Sequence, residues 1–224
     1  MSVHSPSDLS QIYQARFKGQ EDYRQRIWTV LCSYFAKWIP ADAAVLDLGC
    51  GHCEFINAVP ARRKFGMDLN PDSSRLAHPD VTVLQQDCSS PWAIEAGTLD
   101  AIFTSNFFEH LPDKVALQRT LQNARHSLRF GGRLIMMGPN IKYLGGAYWD
   151  FFDHYIPLTE VSLEEALKTC GFDIEISVAR FLPYTMSAGR VYPVWMLKAY
   201  LAMPWAWLLF GKQFLIVGRK NALQ

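Results

Sequence analysis

The sequence alternates short apolar runs with stretches of helical spacing, and that alternation restricts the fold more than any other feature. "AAVLDLG" (43–49) reads as a strand ending in glycine, and "EFINAV" (54–59) opens a helix. "RKFGMDL" (63–69), "VTVLQQD" (81–87), "LDAIFTSN" (99–106), "RLIMMG" (133–138), "FDIEISVAR" (172–180) and "QFLIVGRK" (213–220) read as further strands. "KVALQRTLQNARHSLRF" (114–130) is an amphipathic helix with Gly131 and Gly132 placed to cap it. "SLEEALKTCG" (162–171) is a helix with a capping box from Ser162 to Glu165. Helical spacing also runs over 7–39, through Ile12, Ala15, Phe17, Ile27, Val30, Leu31, Tyr34, Phe35 and Trp38, until Pro40 stops it. Strands and helices alternating in this way imply a mostly parallel sheet covered on both faces. Ligands in such sheets sit at the carboxyl ends of the strands. The 224 residues, half of them apolar, are enough for one core.

The loop in "VLDLGCGHCEFI" (45–56) admits two readings. C-G-H-C at a helix start is the spacing of a dithiol redox centre, where a helix N-terminus favours thiolate. Its flanks argue against that, with no Trp before Cys50 and no basic residue after Cys53. A structural zinc site needs four ligands, and no second C-x-x-C or H-x-H pair exists, so no metal centre is expected. The other reading is a nucleotide loop. Asp47, Gly49 and Gly51 follow a strand and precede a helix, and glycine lets backbone approach a ligand closely. Asp68 ends the second strand, 21 residues after Asp47, where a carboxylate can take two ribose hydroxyls. Asp87 ends the third strand, and "TSNFFEHLPD" follows the fourth. Each carboxylate alone also fits a plain helix cap or turn; three of them at successive strand ends fit that less well.

These positions in this order resemble the class I S-adenosylmethionine-dependent methyltransferases over roughly residues 42–180. The resemblance implies an α/β, Rossmann-like sheet of seven mostly parallel strands flanked by helices. It divides the chain into an N-terminal helical cap (1–40) and a methyltransferase domain (41–224), with a hydrophobic insertion over 183–211 before the last strand. It also implies S-adenosyl-L-methionine as cofactor. Asp47 and the loop through Gly49, Cys50 and Gly51 would hold its methionine part, Asp68 with Leu69 its ribose, and Asp87 with the Cys88 amide its adenine. Asn106, after the fourth strand, belongs to the same set. One departure stands out: the family usually has a third glycine where this chain has Cys53. A dehydrogenase reading is weaker, because D-L-G-C-G is not G-x-G-x-x-G.

Methyl transfer to oxygen gains from a general base, and histidine titrates nearest neutrality. His154, in "YWDFFDHYIPLT" after the fifth strand, is flanked by Asp150 and Asp153 and is the first candidate; His110 is the second. Either could instead only fix its own loop. The long, aromatic segment "GPNIKYLGGAYWDFFDHYIPLT" reads as one wall of an acceptor pocket. The wording of "SNFFEHL", "GPN" and "YWDFFDHYIPLT" is similar to small bacterial methyltransferases linked to surface-polysaccharide and glycolipid genes. That similarity implies a sugar hydroxyl as acceptor and a place in polysaccharide biosynthesis. A small lipid-like or aromatic metabolite stays open as acceptor, as does a cofactor-binding module that has lost catalysis.

Charge is uneven. From Arg180 onward there are six Lys/Arg and no Asp/Glu, on a chain of net charge +1 overall. That balance lacks the general basic surplus of a nucleic-acid binder. Seventeen of the twenty residues from Val191 to Phe210 are apolar or aromatic, but Pro193, Lys198 and Pro204 interrupt them. The stretch 183–212 is expected to be a pocket lid, a dimer surface or a peripheral membrane contact, rather than a span. The first nineteen residues lack the apolar core of a secretory signal, and the five cysteines are odd in number. A cytoplasmic protein, peripheral at the inner membrane face if the stretch meets lipid, is the expectation.

Overall fold

The computed structural model describes residues 21–184 and 191–221. The first part of the expected helix over 7–39 and residues 185–190 of the insertion lie outside the described residues. Helix α1 (Glu21–Phe35) leads into β1 (Ala44–Leu48), α2 (Glu54–Ala58), β2 (Arg63–Met67), α3 (Ser73–Leu76), β3 (Val81–Leu84) and β4 (Leu99–Ser105). A 3-10 turn (Phe108–His110) and α4 (Lys114–Ser127) precede β5 (Leu128–Pro139). Then come α5 (Ile141–Leu144), a second 3-10 turn (Gly145–Asp150), α6 (Glu160–Thr169) and β6 (Phe172–Val178). Helices α7 (Val194–Leu201) and α8 (Pro204–Phe210) form the insertion ahead of β7 (Gln213–Lys220).

The seven strands form one sheet in the order β3-β2-β1-β4-β5-β7-β6. The first five strands pair in parallel, and β7 runs antiparallel to both β5 and β6. The order reverses between β1 and β4, so the crevice for a ligand opens at the carboxyl ends of these two strands. All five residues of β1 are buried, as expected for a strand covered on both faces. One layer of core joins Trp28 and Phe35 of α1 to Phe55 of α2 and Phe103 of β4. Phe55 stacks on Phe103 with ring centroids 3.8 Å apart. The other layer joins Leu46, Leu48 and Ile102 to Leu121 of α4 and Leu163 and Leu167 of α6.

Two boundaries differ from the sequence pattern. Helix α4 stops at Ser127, and Gly131 and Gly132 lie inside β5 instead of capping the helix. Gly131 has φ 74°, and pairing with β4 slips between Leu99 and Ala101, so the glycines serve a bulge. The capping box of α6 sits three residues early: Thr159 Oγ1 accepts from Ser162 N at 3.1 Å, and Ser162 Oγ accepts from Thr159 N at 3.0 Å. A serine at the third helical position replaces the usual Glu as the reciprocal acceptor.

Candidate cofactor and acceptor site

The loop after β1 is built by unusual backbone. Gly49, Gly51 and Cys53 have φ of 74°, 49° and 62°. The first two are free for glycine; the third is the left-handed conformation that costs a side chain about 1–3 kcal/mol. Cys53 therefore occupies the conformation for which the family's third glycine is suited. Its thiol is fully buried, 3.4 Å from Ser73 O and 3.8 Å from Cys50 Sγ. All five cysteines are free thiols. The hydrogen bond with Cys53, then burial and the nearby Asp47 and Asp68 carboxylates, push the Cys50 thiol well above its usual range. An attacking thiolate requires the opposite shift, so the redox reading of C-G-H-C has no support here.

Asp68 ties the loop to the end of β2. Its Oδ2 accepts from Gly51 N at 2.7 Å and its Oδ1 from Asn70 N at 2.8 Å. Ser73, which sequence reading passed over, donates from Oγ to Gly51 O at 2.7 Å. Gly49 N and Cys50 N both donate to Met67 O. Asp87 Oδ1 accepts from Ser89 N and Ser89 Oγ, both at 2.8 Å. The carbonyl of the buried Cys88 accepts from Trp92 Nε1 and Asn123 Nδ2, which hold the end of this loop in place. Asn106 has φ 50°; its Nδ2 donates to Ser105 Oγ at 2.9 Å, and its buried Oδ1 accepts from nothing among the described residues. Phe107 presses its ring on Gly49, where an added Cβ would lie 2.9 Å from the Phe107 Cβ and closer still to the ring.

These residues fit the cofactor that the resemblance implies. Bare backbone at Gly49 and Gly51 permits close approach. The orphaned Asn106 Oδ1 wants a donor such as an ammonium, and the Asp68 carboxylate, which accepts from backbone amides, has room to accept from a ribose hydroxyl as well. Helix α1 closes this end from outside through an ion pair between Arg24 and Glu54, next to Cys53.

Burial raises the Asp47 carboxyl well above the usual range, reinforced by Glu54 and Asp68. A carboxyl raised on folding contributes stability below its unfolded value of about 3.8 and loses it as pH rises toward the folded value. Asp47→Asn should therefore raise Tm at pH 7. That gain should shrink near pH 4. Thermal unfolding across pH checks it; a variant no more stable than the parent at pH 7 would show that the buried charge is matched.

The two candidate histidines lie in the loops after β4 and β5. His110 Nδ1 is 2.8 Å from Asp153 O and 3.3 Å from Asp153 Oδ2, while its Nε2 is 4.0 Å from Glu109 Oε1. The His110 and His154 rings meet edge to face at 5.0 Å. His154 stacks on Phe151 and contacts Tyr148, whose hydroxyl donates to Ile156 O. The fold thus brings both sequence candidates together but redistributes their partners. Asp153 orients His110, and Asp150 is exposed. Glu109, buried beside both rings, is the residue that sequence reading missed; its signal was its place in the same "FFEHL" turn as His110.

A family model described as a methyltransferase domain matches residues 20–176. Among solved structures, a Haloferax volcanii protein in complex with the Trm112 methyltransferase activator is 17% identical, with TM-score 0.69 over 99% of this chain and 100% of its own. An Archaeoglobus fulgidus SAM-dependent methyltransferase is 19% identical, with TM-score 0.67 over 91% of this chain and 99% of its own. A Thermotoga maritima SAM-dependent methyltransferase is 17% identical, with TM-score 0.66 over 95% and 96%. At these identities the likeness concerns fold alone. No curated protein matches the chain by sequence.

Proposed function

The chain belongs to the methyltransferase-domain family, an S-adenosylmethionine-dependent enzyme class, and we propose that it O-methylates a sugar hydroxyl of a glycan or glycolipid. The bound cofactor supplies an electrophilic methyl on a sulfonium. The rest falls to the chain's own residues. Asp47, Gly49, Cys50, Gly51, Asp68, Leu69, Asp87, Cys88 and Asn106 bind and orient that cofactor. The acceptor hydroxyl loses its proton at the imidazole pair.

One observation carries this reading: Glu109 and His110, in the turn whose Phe107 packs on the cofactor loop, cluster with His154 from the loop after β5. In the neutral His110 ring, the Asp153 carbonyl accepts the Nδ1 proton, so Nε2 holds the lone pair. His110 is half-buried and His154 nearly closed off, which puts His110 in front and His154 behind it. In the segment between β5 and His154, Tyr143, Trp149 and Phe152 are exposed, Phe152 to 90%. Exposed aromatic faces suit the apolar face of a sugar ring better than they suit a closed pocket for a small apolar metabolite. Incubation with radiolabelled cofactor and panels of glycolipids, free glycans and phenolic metabolites tests the proposal. Label appearing in phenolics alone would favour the metabolite reading, and none in any acceptor the inactive module.

The insertion bears on where the acceptor is met. Trp195, Trp205, Leu208, Leu209 and Phe210 are exposed on α7 and α8, with Lys198 and Lys212 exposed among them. No helix among the described residues is long and apolar enough to cross a membrane. Trp207 belongs to the fold instead: its Nε1 donates to Tyr200 O at 2.9 Å, and its ring packs on Phe181. We propose that this face meets an anionic membrane surface carrying a glycolipid acceptor. Trp205→Ala with Leu209→Ala should reduce co-sedimentation with anionic liposomes several-fold and leave Tm unchanged, whereas Trp207→Ala should lower Tm. Unaltered sedimentation of the double variant, with a parent that dimerises, would assign the face to a second copy.

A further inference from the structure

We infer that Glu109, His110 and His154 form a binding site for a divalent first-row transition cation of the Mn²⁺ kind. The inference rests on the reading above for the cation's use, but not for its binding. Each of the three residues offers one ligand atom, and these atoms lie within 4.8 Å of one another. Ligands about 2.1 Å from a cation stand roughly 3–4 Å apart, so the widest pair would have to close by about 1–2 Å through side-chain rotation. The donor set is two imidazoles and one carboxylate, which suits Mn²⁺, Fe²⁺ or Co²⁺ better than Mg²⁺ or Ca²⁺.

Two further observations point to a cation. His110 directs Nδ1 at the Asp153 backbone carbonyl, 2.8 Å away, which leaves the Nε2 lone pair on the side of Glu109. That is how a ligating histidine is usually held, with its other ring nitrogen donating to a carbonyl or carboxylate. The charge around it is also unusual. Glu109 is 1% exposed and Asp153 6%, and both lie against imidazoles in a region walled by Tyr148 and Phe151. A cation held by the two imidazoles would lie close to both carboxylates. The half-buried His110 leaves one side of such an ion open to an acceptor. A hydroxyl coordinated there would be made more acidic, its proton passing to solvent as the methyl bonds to its oxygen and leaves the sulfonium sulfur. The sequence hides this site because its ligands come from loops after two different strands, 44 positions apart between His110 and His154.

The test is titration of chelator-treated protein with Mn²⁺ alone, followed through the electron paramagnetic resonance signal of free Mn²⁺. We expect one saturable site per chain. Glu109→Gln and His154→Gln should each weaken it by more than about tenfold, while His126→Ala, on the exposed face of α4, should leave it unchanged. Because Glu109 and His154 are buried, the unaltered protein supplies a second readout. Bound Mn²⁺ should broaden the ring-proton resonances of His110 and His154 first among the six histidines. No saturable uptake, equal uptake by a folded Glu109→Gln variant, or broadening centred on other histidines would overturn the site. Methyl transfer at full rate by the chelated protein would overturn the cation's role and leave the imidazole reading standing. Cation uptake without transfer to any sugar would leave the site standing and remove the proposed acceptor.

Discussion

Gly49→Ala is expected to abolish measurable cofactor binding and to destabilise the fold by roughly 2–4 kcal/mol. Two separate penalties combine. At φ 74° a side chain clashes with its own backbone, which costs about 1–2 kcal/mol. The new methyl would also be driven into the Phe107 ring, which lies against the glycine. Overpacking of that kind costs about 1–3 kcal/mol, and the ring can escape only by shifting the turn that carries Asn106 and the Glu109–His110 pair. Cofactor loop and acceptor side would then be disturbed together. Phe107→Ala separates the terms: added to Gly49→Ala, it removes the ring contact and leaves the backbone strain. The double variant should recover part of the lost Tm but little cofactor affinity, a coupling that a double-mutant cycle measures directly. A single variant with the parent's Tm and affinity would show that the loop tolerates a side chain, and the cradle argument would fall with it.

That prediction uses a residue the sequence already singled out, and much of the site was legible in the same way. Strand β1 is fully buried and apolar apart from Asp47, so the short run and its terminal glycine stand out in the sequence. Asp68 was legible because a carboxylate at the end of β2 lies one strand from the loop, and the Gly51 N to Asp68 bond spans only 17 positions. What was hidden depends on packing. Helix α4 and strand β5 meet at Ser127–Leu128 without any punctuating residue, so glycines inside the strand mimicked a helix end. Trp205 and Trp207 look alike in sequence, yet only the second turns inward toward Phe181. The partner of His110 is 43 positions away, whereas His154 has carboxylates as near neighbours in the chain. The contact of Asp153 with His110 is therefore one that local sequence does not show.

The contact between Asp153 and His110 bears on what the histidine variants should do. His110→Ala should lower kcat by about 10²–10⁴-fold, with cofactor affinity unchanged. The ring itself is not among the expected cofactor contacts, although Asn106 lies in the same turn. The small loss of buried surface should cost little Tm, because the ring is partly solvent-facing. His154→Ala should also reduce kcat, but it should lower Tm as well, by several °C. His154 is 5% exposed, stacked on Phe151 with centroids 5.0 Å apart and in edge contact with Tyr148, so its removal leaves a cavity. Steady-state kinetics with calorimetry of cofactor binding and thermal unfolding distinguish the two. A kcat loss confined to His154→Ala, with full activity in His110→Ala, would return the reacting role to the buried ring. Full kcat in both would mean that alignment of the hydroxyl behind the methyl group suffices for transfer, and that the cluster serves only to hold the turn after β4 against the loop after β5.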